Sequence, residues 1–195
     1  MTDEYQNMIN KMRTEGVSQK EAYEFFDSLD PVNAKMMKGK WKGSECITGH
    51  EMEGLLTVAP WYGKEFLDPE TVCPLVMENK RGELYCIAPR KIFKFADRPF
   101  VLNFAKKIAK KNRSGKHFDS HKLDPLMKFF KTGASCARLR EIKYRGTVTS
   151  AMIYDELPII DVFRMLDENT VLGVMDIKGQ FGKMGYFFLL EKSSD

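Results

Sequence analysis

The sequence predicts a mainly β (α+β) protein whose antiparallel sheet closes into a barrel. Two N-terminal helices precede the barrel, and a helical insertion near residues 98–130 interrupts it. Three observations carry this. The C-terminal third is a series of apolar, β-branched and aromatic runs with short connections, as antiparallel neighbours require. The apolar spacing before residue 31 is helical instead. Between these regions Gly39-Lys40-Trp41-Lys42-Gly43 reads as the opening strand, with two glycines that let its backbone approach a neighbour.

The elements follow in order. Tyr5, Met8, Ile9 and Met12 recur at i, i+3, i+4 and i+7, which predicts a helix over 3–14 ended by Gly16. Ser18-Gln19-Lys20-Glu21 is a capping box, so a second helix should run over about 19–29 with Ala22, Phe25, Phe26 and Leu29 inward. Asp30-Pro31 stops it. Both helices are expected to act as lids or plugs. Candidate strands are about 38–47, 72–78, 83–88, 136–145, 147–155, 158–166, 170–176 and 184–191. Arg145-Gly146 and Asp155-Glu156-Leu157-Pro158 are the turns between successive runs. A meander of this length curls to remove its edges.

The segment 90–122 differs. From Arg90 to Lys116 it carries ten Lys and Arg against one acid, Asp97. Lys106, Lys107, Lys110 and Lys111 share one helical face, with Leu102, Ala105, Ile108 and Ala109 largely on another. The common meaning of such a stripe is a solvated face. Weak contact with an anionic surface is the alternative. The face lacks aromatic interleaving and matches no nucleic-acid module, so no nucleic-acid partner is expected.

At 195 residues and a net charge of +4, the chain is one domain or two small ones sharing a core. The acidic Met1-Thr2-Asp3-Glu4 start is unlike a secretory signal, and no apolar run approaches the roughly 20 residues of a membrane span. Cys46, Cys73, Cys86 and Cys136 show no Cys-x-x-Cys pair. Reduced, partly buried thiols in a cytoplasmic protein are the expectation, with a disulfide or metal set as the alternative. The chain has no P-loop, dinucleotide fingerprint or nucleophile elbow, which argues against ordinary NTPases, Rossmann dehydrogenases and α/β-hydrolases.

Two blocks of motifs resemble a known family. The first holds Gly39-Lys40-Trp41-Lys42-Gly43, Thr48-Gly49-His50, Gly54-Leu55-Leu56, Trp61-Tyr62-Gly63-Lys64 and Val72-Cys73-Pro74-Leu75. The second holds Ala137-Arg138-Leu139-Arg140, Tyr144-Arg145-Gly146, Tyr154-Asp155, Pro158 to Arg164 and Val171 to Asp176. In this order they resemble the GXWXG-domain family with its C-terminal partner, a domain of unknown function. The resemblance implies a lipocalin/calycin-like barrel and carries over no activity. The chain has Ser135-Cys136 where the family has Pro-Lys, and Cys73 where it has His. The expected division is 1–31 N-terminal helices, 32–90 GXWXG domain, 91–133 basic helical insertion and 134–195 C-terminal domain completing one barrel.

Several residues are candidates for a site. His50, in a loop after the Trp41 strand, could bind a ligand, move a proton or cap a turn. Asp161 sits between Ile160 and Val162 and is expected inward, either paired with Arg138 or Arg140 or held as an acid or base. Arg138 and Arg140 share one strand face, either exposed or, if inward, in need of carboxylate partners or an anionic ligand. Trp41, Trp61, Tyr62, Tyr154 and Phe163 are candidate cavity walls, and Lys64 either holds an anion or pairs with a surface carboxylate. The pair His117 and His121 has helical ligand spacing, but two residues are not a metal site, and neither metal nor cofactor is expected.

The leading expectation is an intracellular barrel that binds a small, mainly apolar molecule with a polar or anionic end. The rival is a cofactor-independent lyase or isomerase on the same barrel, with His50 and Asp161 as acid and base. The third is a protein-interaction scaffold with a filled core. Oligomeric state is not encoded in these features.

Overall fold

Helices α1 (Asp3–Thr14) and α2 (Gln19–Ser28) open the chain. The structure is a computed structural model, and it describes residues 3–96, 98–114, 118–179 and 181–193. The capping box sets the start of α2: the Glu21 amide donates to Ser18 Oγ at 3.2 Å, and the Ser18 amide donates to Glu21 Oε2 at 2.9 Å. These reciprocal bonds satisfy donors that helix geometry leaves open.

Ten strands follow: β1 (Asp30–Pro31), β2 (Gly39–Glu45), β3 (Trp61–Phe66), β4 (Val72–Glu78), β5 (Leu84–Cys86), β6 (Ala137–Tyr144), β7 (Thr147–Tyr154), β8 (Ile159–Asp167), β9 (Thr170–Ile177) and β10 (Tyr186–Lys192). Eight of them close a ring in the order β9-β10-β2-β3-β4-β6-β7-β8, with β8 pairing back to β9. All of the pairings are antiparallel. β1 lies against β8, and β5 against β4. The hairpin of β6 and β7 turns through Arg145 (φ 48°) and Gly146 (φ 87°), and Tyr144 faces Thr147. Two successive positive φ values match the twist of such a two-residue turn.

The Gly-x-Trp-x-Gly strand has a packing explanation. Trp41 points inward, 1 % exposed, and its Nε1 donates to the Met37 carbonyl at 2.7 Å. Gly43 carries the Trp61 indole: an added Cβ would lie 2.1 Å from Trp61 Cη2. Gly63 meets the partner strand itself, because a Cβ there would lie 1.9 Å from the Trp41 carbonyl oxygen. The close approach at Gly63 is to another strand, and it coincides with register shifts between β3 and β4. Those shifts hide β3 from an alternation pattern, and the strand was not expected.

The sheet buries both faces. Inside are Trp41, Phe66, Leu139, Met152, Phe163, Val171, Phe188 and Leu190. Outside, Ile9, Met12, Phe25 and Phe26 of the two helices cover Ala151, Val162, Leu172, Val174, Phe187 and Leu189. The N-terminal helices therefore clad the barrel wall and do not plug its mouth. Aromatic edges fix this layer, with Tyr23 against Phe187 at 5.0 Å and Tyr5 against Phe25 at 5.5 Å.

Between β4 and β6 the wall is thin, since only Val72 and Ala137 pair. The insertion packs beside this seam. It comprises α4 (Pro89–Ala96), α5 (Pro99–Arg113) and α6 (Asp124–Phe129), with a short 3-10 turn before α6. A small helix, α3 (Leu55–Val58), meets it from the β2–β3 connection, and Val58, Ala105 and Ile108 form the contact.

The cysteines correct the expectation of four thiols. Cys73 on β4 and Cys86 on β5 are joined by a disulfide, while Cys46 and Cys136 are free. The two half-cystines lie on adjacent strands, so the hairpin of β4 and β5 brings them within bonding distance.

Candidate functional site

A cavity of about 400 Å³ opens beneath the insertion. Lys64, Leu75, Tyr154, Asp161, Met175, Tyr186 and Phe188 supply its barrel side. Met52, Leu55 and Leu56 border it from the α3 region, and Phe93, Phe100, Phe104, Leu126, Met127 and Phe130 from the insertion. Nearly all of this lining is apolar. The exceptions are the ends of Lys64, Asp161, Tyr154 and Tyr186.

Strand register brings the polar group together. Lys64 faces Trp41 across β2 and β3, and Asp161 faces Met152 across β7 and β8. Lys64 Nζ donates to Asp161 Oδ2 at 2.8 Å and to the Pro74 carbonyl at 3.1 Å. The ammonium also lies 4.9 Å from the Phe188 ring centre. Tyr154 donates its hydroxyl to Asp161 Oδ2 at 3.4 Å. Lys64 is 3 % exposed and Asp161 1 %, so this is a buried ion pair. Burial pushes the Asp161 carboxyl up from the usual range, and the Lys64 ammonium opposes that shift. Burial and the neighbouring carboxylate hold the Tyr154 phenol neutral, well above its ordinary value.

One atom of this group is left over. Asp161 Oδ1 is buried and, among the described residues, has no hydrogen-bond partner. Such an acceptor costs free energy unless something donates to it. Here it belongs to a residue on the cavity wall.

His50 lies one ring behind that wall. Its Nδ1 accepts from the Met52 amide at 3.0 Å, and its Nε2 faces the Phe181 carbonyl at 3.3 Å. Both ring nitrogens thus serve the main chain, in the neutral Nε2-protonated form. Burial lowers its pKa, which favours the same form. Its ring packs edge-on against Tyr186 at 5.3 Å, and Tyr186 faces the cavity. Tyr186 in turn donates to Glu45, which also accepts from the amides of Gly54 at 3.0 Å and Thr57 at 2.7 Å.

The structure places the other candidates elsewhere. Arg138 and Arg140 point outward, the exposed alternative and not the inward one, because Leu139 takes the interior. Arg138 pairs with Asp155 at 2.5 Å and Arg140 with Glu70 at 2.7 Å, both on the surface. The buried partner of Asp161 is Lys64, and the expected arginine pairing is corrected accordingly. Trp41 and Phe163 are packed core and do not line the cavity, and Phe163 sits edge-on to Phe66 at 5.9 Å. Trp61 rests on Gly43 and donates to the Gly63 carbonyl at 2.9 Å, lining a shallow outer recess. Tyr62 bonds Ser193 at 2.9 Å. Only Lys64, Tyr154 and Asp161 of the ten candidates line the cavity. His117 falls outside the described residues, so the His117/His121 pair is not assessed by the geometry.

Sequence reasoning missed Tyr186 and Phe188. They flank the outward Phe187 on β10, and because the helices make that outer face apolar too, alternation gave no signal.

The fold and cavity define an eight-stranded antiparallel barrel whose thin seam is backed by a helical insertion. Residues 24–82 match the family model described as "GXWXG protein", and residues 135–192 match "Domain of unknown function (DUF4334)". The chain thus carries a GXWXG domain followed by DUF4334, the two blocks its motifs resemble. A crystal structure described as that of a protein from Thermomonospora curvata is similar throughout. It has 29 % identity and a TM-score of 0.66, over 99 % of this chain and 100 % of that one. No curated protein sequence matches the chain.

Proposed function

We propose that the barrel binds a small, mainly apolar molecule that donates a hydrogen bond from a hydroxyl or amine. The observation that carries this reading is an apolar cavity whose wall includes Asp161, a carboxylate with one oxygen, Oδ1, that has no hydrogen-bond partner among the described residues. The cavity of about 400 Å³ is of small-molecule size. Lys64 and Asp161 together are close to neutral, so the pair favours a neutral donor over a carboxylate. A filled core, which the scaffold reading requires, fits poorly with such a cavity.

Catalysis at the same place is the second reading. Its support is the raised pKa of Asp161 beside the Tyr154 hydroxyl, in a site shielded from water. Asp161 would exchange the proton. His50 is a poor partner, because both of its ring nitrogens are engaged.

Titration with Nile red, an uncharged dye, tests the binding reading. Saturable one-to-one binding with blue-shifted emission is expected. Met175→Trp, which fills the cavity, should abolish it, and Phe129→Ser, outside the cavity lining, should not. Equal binding by the Met175→Trp protein would refute the reading.

A further inference from the structure

We infer that the helical insertion docks the mouth of the cavity on an anionic lipid bilayer. This rests on the proposed function only for what passes through the mouth. The docking surface itself stands on separate observations.

The first is charge. Residues 89–131 hold thirteen Lys and Arg against three Asp, a net of +10 in a chain of net +4, so the remainder carries −6. Lys91, Lys94, Lys106, Lys107, Lys110 and Lys111 are all exposed, and none makes an ion pair among the described residues. Six exposed ammonium groups on one small segment, none paired among the described residues, form a positive surface that attracts an anionic leaflet.

The second is the apolar component on the same face, which corrects the expectation of a basic face without aromatics. On α5, Phe100, Phe104, Lys107 and Lys111 follow one another at i, i+4, i+7 and i+11, a single stripe, while Ala105, Ile108 and Ala109 face the protein. Phe100 is 67 % exposed and Phe104 50 %; on α6, Leu126 is 51 % and Phe129 80 % exposed. Aromatic side chains in water beside lysines are the composition of a helix that lies in a bilayer interface. A solvated face would hold the lysines without the phenylalanines.

The third is position. Phe100, Phe104 and Leu126 are exposed and also line the cavity, so the patch is the rim of its opening. Seating this rim in the headgroup layer joins the cavity to the acyl region. A poorly water-soluble ligand could then enter or leave without crossing water. No helix among the described residues is long and apolar enough to cross a membrane. The fifteen-residue α5, with four lysines, is suited to lying on the surface.

Co-sedimentation with vesicles tests this. The full chain should pellet with vesicles of equimolar phosphatidylcholine and phosphatidylserine, and not with phosphatidylcholine alone. Each lysine removed should weaken binding about fivefold, so Lys107→Ala with Lys111→Ala should lose about 25-fold. Phe100→Ser with Phe104→Ser should also weaken binding while leaving its salt dependence intact. All four side chains are exposed, and circular dichroism should show an unchanged fold. Equal pelleting with both vesicle types, no pelleting, or indifference to the phenylalanine pair would overturn the inference. The last result would indicate a merely polyanion-binding surface, such as one for an acidic protein. Failure to pellet by protein that takes up Nile red would sink docking and leave the cavity reading intact. Docking by protein that takes up none would support docking and sink the cavity reading.

Discussion

Removing either member of the Lys64–Asp161 pair should cost far more than removing both. The pair is 2.8 Å apart and almost wholly buried. Asp161→Asn keeps the shape of the side chain but leaves the ammonium without its counter-charge, and Lys64→Met strands the carboxylate. Breaking a buried pair this way costs about 3–5 kcal/mol. At roughly 2–4 °C per kcal/mol for a chain of this size, each single variant should melt about 6–20 °C lower. The double variant Lys64→Met/Asp161→Leu removes both charges and fills the space with apolar atoms. Such replacements are neutral or stabilising by about 1–4 kcal/mol. Differential scanning calorimetry of the four proteins closes the cycle. The double variant should regain the wild-type melting temperature and lose ligand binding, which would assign the pair to function and not to stability. Single variants that cost under about 1 kcal/mol, as an exposed pair would, would refute the buried, desolvated geometry.

Other expectations are smaller or more local. Gly43→Ala places a Cβ against the Trp61 indole, and overpacking of this kind costs about 1–3 kcal/mol, readable by urea denaturation. Ser18→Ala removes the α2 cap and should cost about 0.5–2 kcal/mol. The cap is also pH-dependent: its hydrogen bonds to Ser18 lower the Glu21 pKa from 4.5 to about 2. Its contribution is therefore full above the unfolded value and disappears as pH falls from 4.5 toward 2, which acid titration of α2 amide exchange would follow. Thiol titration of the unreduced, denatured protein should find two free cysteines. Reducing the Cys73–Cys86 bridge, separated by 13 residues, should cost about 3 kcal/mol in stability.

How much of this was legible in the sequence depended on whether the signal was local. The α1 stripe, the Ser18–Glu21 box and the Arg145-Gly146 turn act within a few residues, and the structure has all three. Facing was harder, for a physical reason. The helices bury the outer face of the barrel, so β7 to β10 are apolar on both sides and alternation does not separate inside from outside. On β6 the apolar Ala137 and Leu139 alternate with Arg138 and Arg140, a pattern that already places the arginines outside, and the inward alternative went against it. Lys64 was visible within Trp61-Tyr62-Gly63-Lys64, but its partner lies 97 positions away on the far side of the closed ring. The disulfide needed the β4–β5 hairpin, which the spacing of Cys73 and Cys86 alone does not specify.

Native mass spectrometry of freshly purified protein, before and after denaturation, tests the central claim most directly. The expected result is a retained small molecule, released on unfolding and bearing a hydroxyl or amine. The Asp161→Asn protein should retain it less and the Arg140→Ala protein as well as wild type. A retained molecule that both variants hold equally, or one with no hydrogen-bond donor, would contradict the assignment of Asp161 as its anchor.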